Sequence, residues 1–147
     1  MESPPDRRPA APAPWLQALI LVAQTARGHA YAPYSRFPVG AALRTGDGRM
    51  FGGANVENAA FPQSQCAEAS AIGAMIAAGE REIAALVVIG SERPCPPCGG
   101  CRQRLAEFAG PALPIHLCAP DGRVLQTVTL GELLPLAFGP GQVPSRP

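Results

Sequence analysis

Residues 63–108 read QSQCAEASAIGAMIAAGEREIAALVVIGSERPCPPCGGCRQRLAEF, and the fold turns on this stretch. Gln63–Gly79 carries a single charged residue, Glu68, in a run rich in Ala, Met and Ile. That composition predicts a buried helix, with Gly79 placed to end it in a left-handed cap. Ile83–Gly90 is continuously apolar around Val87-Val88-Ile89, which predicts a central strand covered on both faces. Gly99–Phe108 predicts a second inner helix. Helix, hidden strand and helix in succession mark an α/β fold.

Working outward, Trp15, Leu16, Leu19, Ile20, Ala23 and Ala26 recur at helical spacing and predict a helix over Trp15–His29. Pro38–Thr45 and Met50–Asn55 read as strands around a turn at Gly46-Asp47-Gly48. Beyond residue 108, Pro114–Cys118 and Val124–Val128 predict two more strands, and Leu130–Leu136 a last short helix. The order α-β-β-α-β-α-β-β-α predicts a three-layer α/β/α domain with a mixed five-stranded sheet. Met1–Pro14 holds five prolines and is expected to be a disordered leader. Residues 15–138 form the expected domain, and 139–147 a flexible tail.

The bulk numbers exclude several classes. At 147 residues the chain fits one domain. Hydrophobic residues make up 47% and charged residues 16%, which is a globular balance. The formal net charge is +1 and the twelve basic residues are scattered, so no nucleic-acid surface is indicated. No apolar stretch is long enough to span a bilayer, and no secretory pattern opens the chain. Five cysteines, three of them within residues 95–101, point to metal or redox chemistry in a reducing compartment.

Cys66-Ala67-Glu68 falls in the first turn of one predicted helix, and Pro97-Cys98-Gly99-Gly100-Cys101 opens the next. A β-α-β-α arrangement can bring both helix N-termini to one end of the sheet, where the thiols would converge. A helix N-terminus favours thiolate, the form that binds metal. Three protein ligands leave a tetrahedral position open, as in catalytic zinc sites. Glu68, two residues from a thiol, is placed to reach a water there without ligating the metal. A second pattern overlaps the first, because Pro94-Cys95-Pro96-Pro97-Cys98 also reads P-C-x-x-C and Cys95/Cys98 can serve as a redox dithiol. Cys118 reads as a buried small hydrophobe. His29 and His116 lack ligand spacing and read as structural, and Trp15 as core or subunit packing.

Four segments, in this order, resemble the cytidine deaminase family in its small form with three cysteine ligands. They are Ala32-Pro33-Tyr34-Ser35-Arg36-Phe37-Pro38-Val39-Gly40-Ala41-Ala42, Asn55-Val56-Glu57-Asn58-Ala59, Cys66-Ala67-Glu68, and Pro97-Cys98-Gly99-Gly100-Cys101-Arg102-Gln103. The resemblance implies one Zn²⁺ per chain on Cys66, Cys98 and Cys101, with Glu68 as the catalytic proton shuttle. It implies that Asn55 and Glu57 bind the sugar hydroxyl, that Phe37 packs on the pyrimidine, and that Ala67 belongs to the substrate-binding set. Phe138 resembles the C-terminal aromatic that enters a neighbour's site, in a family that is usually homotetrameric. The implied reaction takes cytidine and 2′-deoxycytidine to uridine and 2′-deoxyuridine plus ammonia, a step of pyrimidine salvage in the cytoplasm.

Two positions depart from that pattern. Relatives often follow the catalytic Glu with an Arg, which offsets the formal −1 charge of zinc with three thiolates; here that position is Ala69. Two helix N-termini and Arg102 are expected to compensate. Phe61 stands where relatives often have Tyr. Rival readings are the same chemistry on another nucleoside, such as blasticidin S, a structural zinc or dithiol module without hydrolysis, and nucleic-acid editing. The intact Asn55-Val56-Glu57-Asn58 segment favours plain cytidine.

Overall fold

Ala85–Ile89 forms β3, the middle strand of the sheet, buried along its whole length. The computed structural model describes residues 10–144. Around β3 lie β1 (Gly40–Arg44), β2 (Met50–Ala54), β4 (Pro114–Cys118) and β5 (Val124–Thr129), in the order β2-β1-β3-β4-β5. The β3–β4 pair is parallel and the other three pairs are antiparallel. Only a crossover can join parallel neighbours, and α3 (Gly99–Phe108) is that crossover.

Side-chain alternation divides the core in two. Ala42, Ala85, Val87 and Ile89 point to one face and pack on Leu16, Leu19, Ile20 and Ala23 of α1 (Pro14–Gly28). Leu43, Leu86, Val88 and Ile115 point to the other, against α2 (Ala67–Ala77), α3 and α4 (Leu130–Leu133). The expected α/β/α layering and mixed five-stranded sheet are therefore both present. Cys118 lies fully buried in the α1 layer, as its apolar strand implied. His116 is buried beside Trp15, its Nδ1 paired with the Thr127 hydroxyl at 2.9 Å, and His29 is the C-cap of α1.

Two helix boundaries differ from the sequence reading. The helix expected from Gln63 begins at Ala67, because Phe61–Gln63 is a 3₁₀ turn and Gln65 pairs in extended form with Val56. The exchanged N–H to O distances are 2.8 and 2.9 Å. The last helix, expected to reach Leu136, stops at Leu133 because Pro135 forces Leu134 out of helical geometry. Gly79 ends α2 as expected: at φ +92° it donates to the Ile76 carbonyl while the Glu80 amide donates to Met75. Residues 1–9 of the expected leader and 145–147 of the tail lie outside the described residues, and α1 begins at Pro14. Among the described residues no helix is long and apolar enough to cross a membrane.

Register decides where the loops meet. Gly40 stands opposite Ala54 on one side and Ile89 on the other. The segment entering β1, the segment leaving β2 and the segment leaving β3 therefore share one sheet edge. α2 is set close over that edge because Gly53 has no side chain. A Cβ at Gly53 would stand 2.3 Å from the Ala71 nitrogen and 2.4 Å from the Ala67 oxygen.

Candidate active site

Cys66 is the N-cap of α2, Cys98 is the N-cap of α3, and Cys101 lies in the first turn of α3. Their sulfurs all lie within 4.8 Å of one another, and Cys66 Sγ is 3.7 Å from Cys98 Sγ. Tetrahedral thiolates about 2.3 Å from a zinc ion stand about 3.8 Å apart, so the trio is spaced to hold one. Burial pushes the Cys66 and Cys101 thiols above their ordinary range, and the Glu68 charge adds to the effect. Cys98, the most exposed, falls below it: hydrogen bonds from the Cys101 backbone and the neighbouring thiols outweigh its burial. Three such thiols become thiolates together only with a cation among them, which is the chemistry of a metal donor set. Among the described residues Cys95 is not a member of this three-thiol group.

Glu68 occupies the first turn of α2 and is only 4% exposed. Its Oε2 accepts from the Cys101 thiol at 3.6 Å. Burial raises its pKa above the ordinary carboxylate value, opposed by its own backbone amide, by Cys101 and by the charge of Arg104. Arg102, expected to supply compensating charge, is held in place by neighbouring backbone. Its Nε donates to the Pro97 carbonyl at 2.8 Å and its Nη1 to the Leu133 carbonyl at 2.9 Å, at the end of α4.

These groups open onto a cleft of about 270 Å³ lined by Cys66, Ala67, Glu68, Cys98, Asn55 and Glu57. Asn55 fixes the segment entering β1, with Oδ1 accepting from the Val39 amide at 2.8 Å and Nδ2 donating to the Phe37 carbonyl at 2.9 Å. Glu57 Oε1 accepts from the Tyr34 and Ser35 amides at 2.9 and 3.0 Å. The Ser35 hydroxyl and these amides hold its carboxyl below the ordinary value. Phe37 is 42% exposed and is not among the residues that line the cleft, although its ring rim approaches Gly90 beside Cys95, which is. Phe138 is not brought in: it is 60% exposed and lines a separate apolar cavity with Ala106 and Leu134. Val39, Ser64, Gln65, Cys95 and Pro96 also line the cleft, and the sequence reading gave none of them a place there.

A mixed sheet that presents three clustered thiols and a buried carboxylate at two helix N-termini has the donor set and the proton-transfer group of a metal-assisted hydrolase. Residues 13–116 match the family described as the cytidine and deoxycytidylate deaminase zinc-binding region. A cytidine deaminase of Sporosarcina psychrophila is 43% identical, over 84% of this chain and 90% of the relative. One from Mycobacterium tuberculosis is 42% identical, over 82% and 86%. The crystal structure of cytidine deaminase from Burkholderia pseudomallei is 48% identical, with TM-score 0.77, covering 82% of this chain and 97% of that one. The chain belongs to the cytidine and deoxycytidylate deaminase family, whose members are hydrolytic deaminases.

Proposed function

We propose that the chain hydrolyses the exocyclic amine of cytidine and 2′-deoxycytidine, giving uridine or 2′-deoxyuridine and ammonia. The observation that carries this is the buried Glu68 carboxylate, in hydrogen-bond contact with one of three thiols spaced for a tetrahedral cation. Cys66, Cys98 and Cys101 hold one zinc per chain, which supplies the Lewis acidity that makes water nucleophilic near neutral pH. Glu68 takes a proton from the attacking water and delivers it to ring N3 as C4 becomes tetrahedral. The same carboxylate then takes the remaining proton from the new C4 hydroxyl and delivers it to the amine, so that the C4–N bond breaks, ammonia leaves and the C4 carbonyl forms.

Asn55 and Glu57, which line the cleft, bind the sugar hydroxyl. Phe37, beside the cleft-lining Cys95, covers the pyrimidine, and Ala67 forms part of the floor. The chain acts as a homotetramer in which Phe138, remote from its own cleft, completes that of a neighbour. Its products serve pyrimidine salvage in the cytoplasm.

Glu68→Gln tests the reading. The amide keeps the shape and hydrogen-bond reach of the side chain but cannot accept the proton. Turnover of cytidine is expected to fall by ~10²–10⁴-fold with zinc content unchanged. A variant that keeps both zinc and near-full turnover removes Glu68 from the chemistry.

A further inference from the structure

Cys95 is the thiol of residues 95–101 that stands outside the metal trio, and it lines the cleft with Glu68 and Asn55. Its position is built by the backbone around it. A Cβ at Gly90 would stand 2.8 Å from both Cβ and Sγ of Cys95 and 3.1 Å from Cζ of Phe37. The bare backbone of Gly90 thus forms a slot that seats Cys95 beside the rim of the Phe37 ring. Arg27 secures that backbone, its Nε donating to the Gly90 carbonyl at 2.9 Å. Pro94, Pro96 and Pro97 restrict the segment on either side.

Burial, and then the charge of Glu68, oppose ionisation of this thiol. A neutral thiol behaves as a small hydrophobe and packs well against an aromatic edge. Asn55 and Glu57 give the cleft its polar, sugar-binding part, whereas Cys95 adjoins Phe37 and Glu68, the groups assigned to the base. C4 of cytosine is flanked by N3 and C5, and of these two only C5 carries a hydrogen that a substituent can replace.

We propose that Cys95 is a specificity-determining wall for the base, limiting the size of the substituent that a cytosine nucleoside carries at C5. This rests on the reading of the cleft as the nucleoside site. The test measures kcat/KM for cytidine, 5-methylcytidine and 2′-deoxycytidine in the unsubstituted chain, Cys95→Ala and Cys95→Leu, with zinc content determined for each. Cys95→Leu is expected to lower the 5-methylcytidine-to-cytidine ratio by ~10-fold or more, the scale of one methyl group misfitted in a closed pocket. Cys95→Ala is expected to raise that ratio. In both variants the 2′-deoxycytidine-to-cytidine ratio and the zinc content stay where they are. A methyl ratio unmoved in both variants, or methyl and sugar ratios moving together, overturns the proposal. Absence of turnover in the unsubstituted chain is a different failure, that of the nucleoside reading itself.

Discussion

A tetrahedral site with three protein sulfurs has none in reserve. Cys66→Ala, Cys98→Ala and Cys101→Ala are each expected to lose the metal, whereas Cys95→Ala keeps about one zinc per chain by elemental analysis. Release of zinc from Cys95→Ala but not from Cys101→Ala would reverse the ligand assignment. Two P-C-x-x-C patterns overlap in the sequence, and there the family resemblance selects Cys98 and Cys101. What separates the patterns in the structure is the start of α3 at Gly99, which makes Cys98 an N-cap and puts Cys101 in the first turn. Cys95 stays behind in a loop held by prolines. The place of Cys95 on the cleft wall was illegible because it depends on Gly90, five residues earlier and across a turn of chain. Asn55 and Glu57 were legible as a pair, but not as the clamps that hold residues 34–39, since those bonds join segments up to 23 residues apart.

Elements position these residues, and the junction that carries the turn of Cys66 and Glu68 is β2 against α2. Gly53→Ala would drive a methyl into the Ala67 carbonyl and the Ala71 amide, both backbone, so relief requires moving the helix. Overpacking of this kind costs about 1–3 kcal/mol. The same shift displaces the turn that carries Cys66 and Glu68. Gly53→Ala is therefore expected to lower both the melting temperature and the affinity for zinc, measured by chelator competition. An unchanged melting curve with unchanged zinc affinity would show that this junction does not set the site. At this scale the sequence was largely readable: every strand and helix stands in the expected order, because hydrophobic period and Gly/Pro punctuation are local signals. The helix starts were less so. Gln63–Gln65 has the composition of a helix but is drawn into pairing with Val56, a contact between segments that periodicity does not register.

The three layers of the whole molecule were legible from one fact, the two-sided burial of β3. Assembly was not, because a partner leaves only an unfilled surface on a single chain. Two surfaces have that character. Gly73, Ala74 and Ala77 lie exposed along α2 with little or no side chain, and Phe138 is 60% exposed and does not line the cleft of its own chain. Light scattering is expected to report a tetramer, and Phe138→Ala to raise KM for cytidine with zinc content unchanged; a fully active monomer would contradict both. The central claim concerns chemistry, and the most direct measurement is release of ammonia from cytidine by the purified protein before chelation, after it, and after zinc is restored. Turnover of cytidine to uridine is expected to disappear with the metal and return with it, and free cytosine, which leaves the sugar-binding groups unpaired, is expected to be a very poor substrate. A zinc-loaded protein that leaves cytidine intact, or one that deaminates it equally well without metal, would contradict the claim.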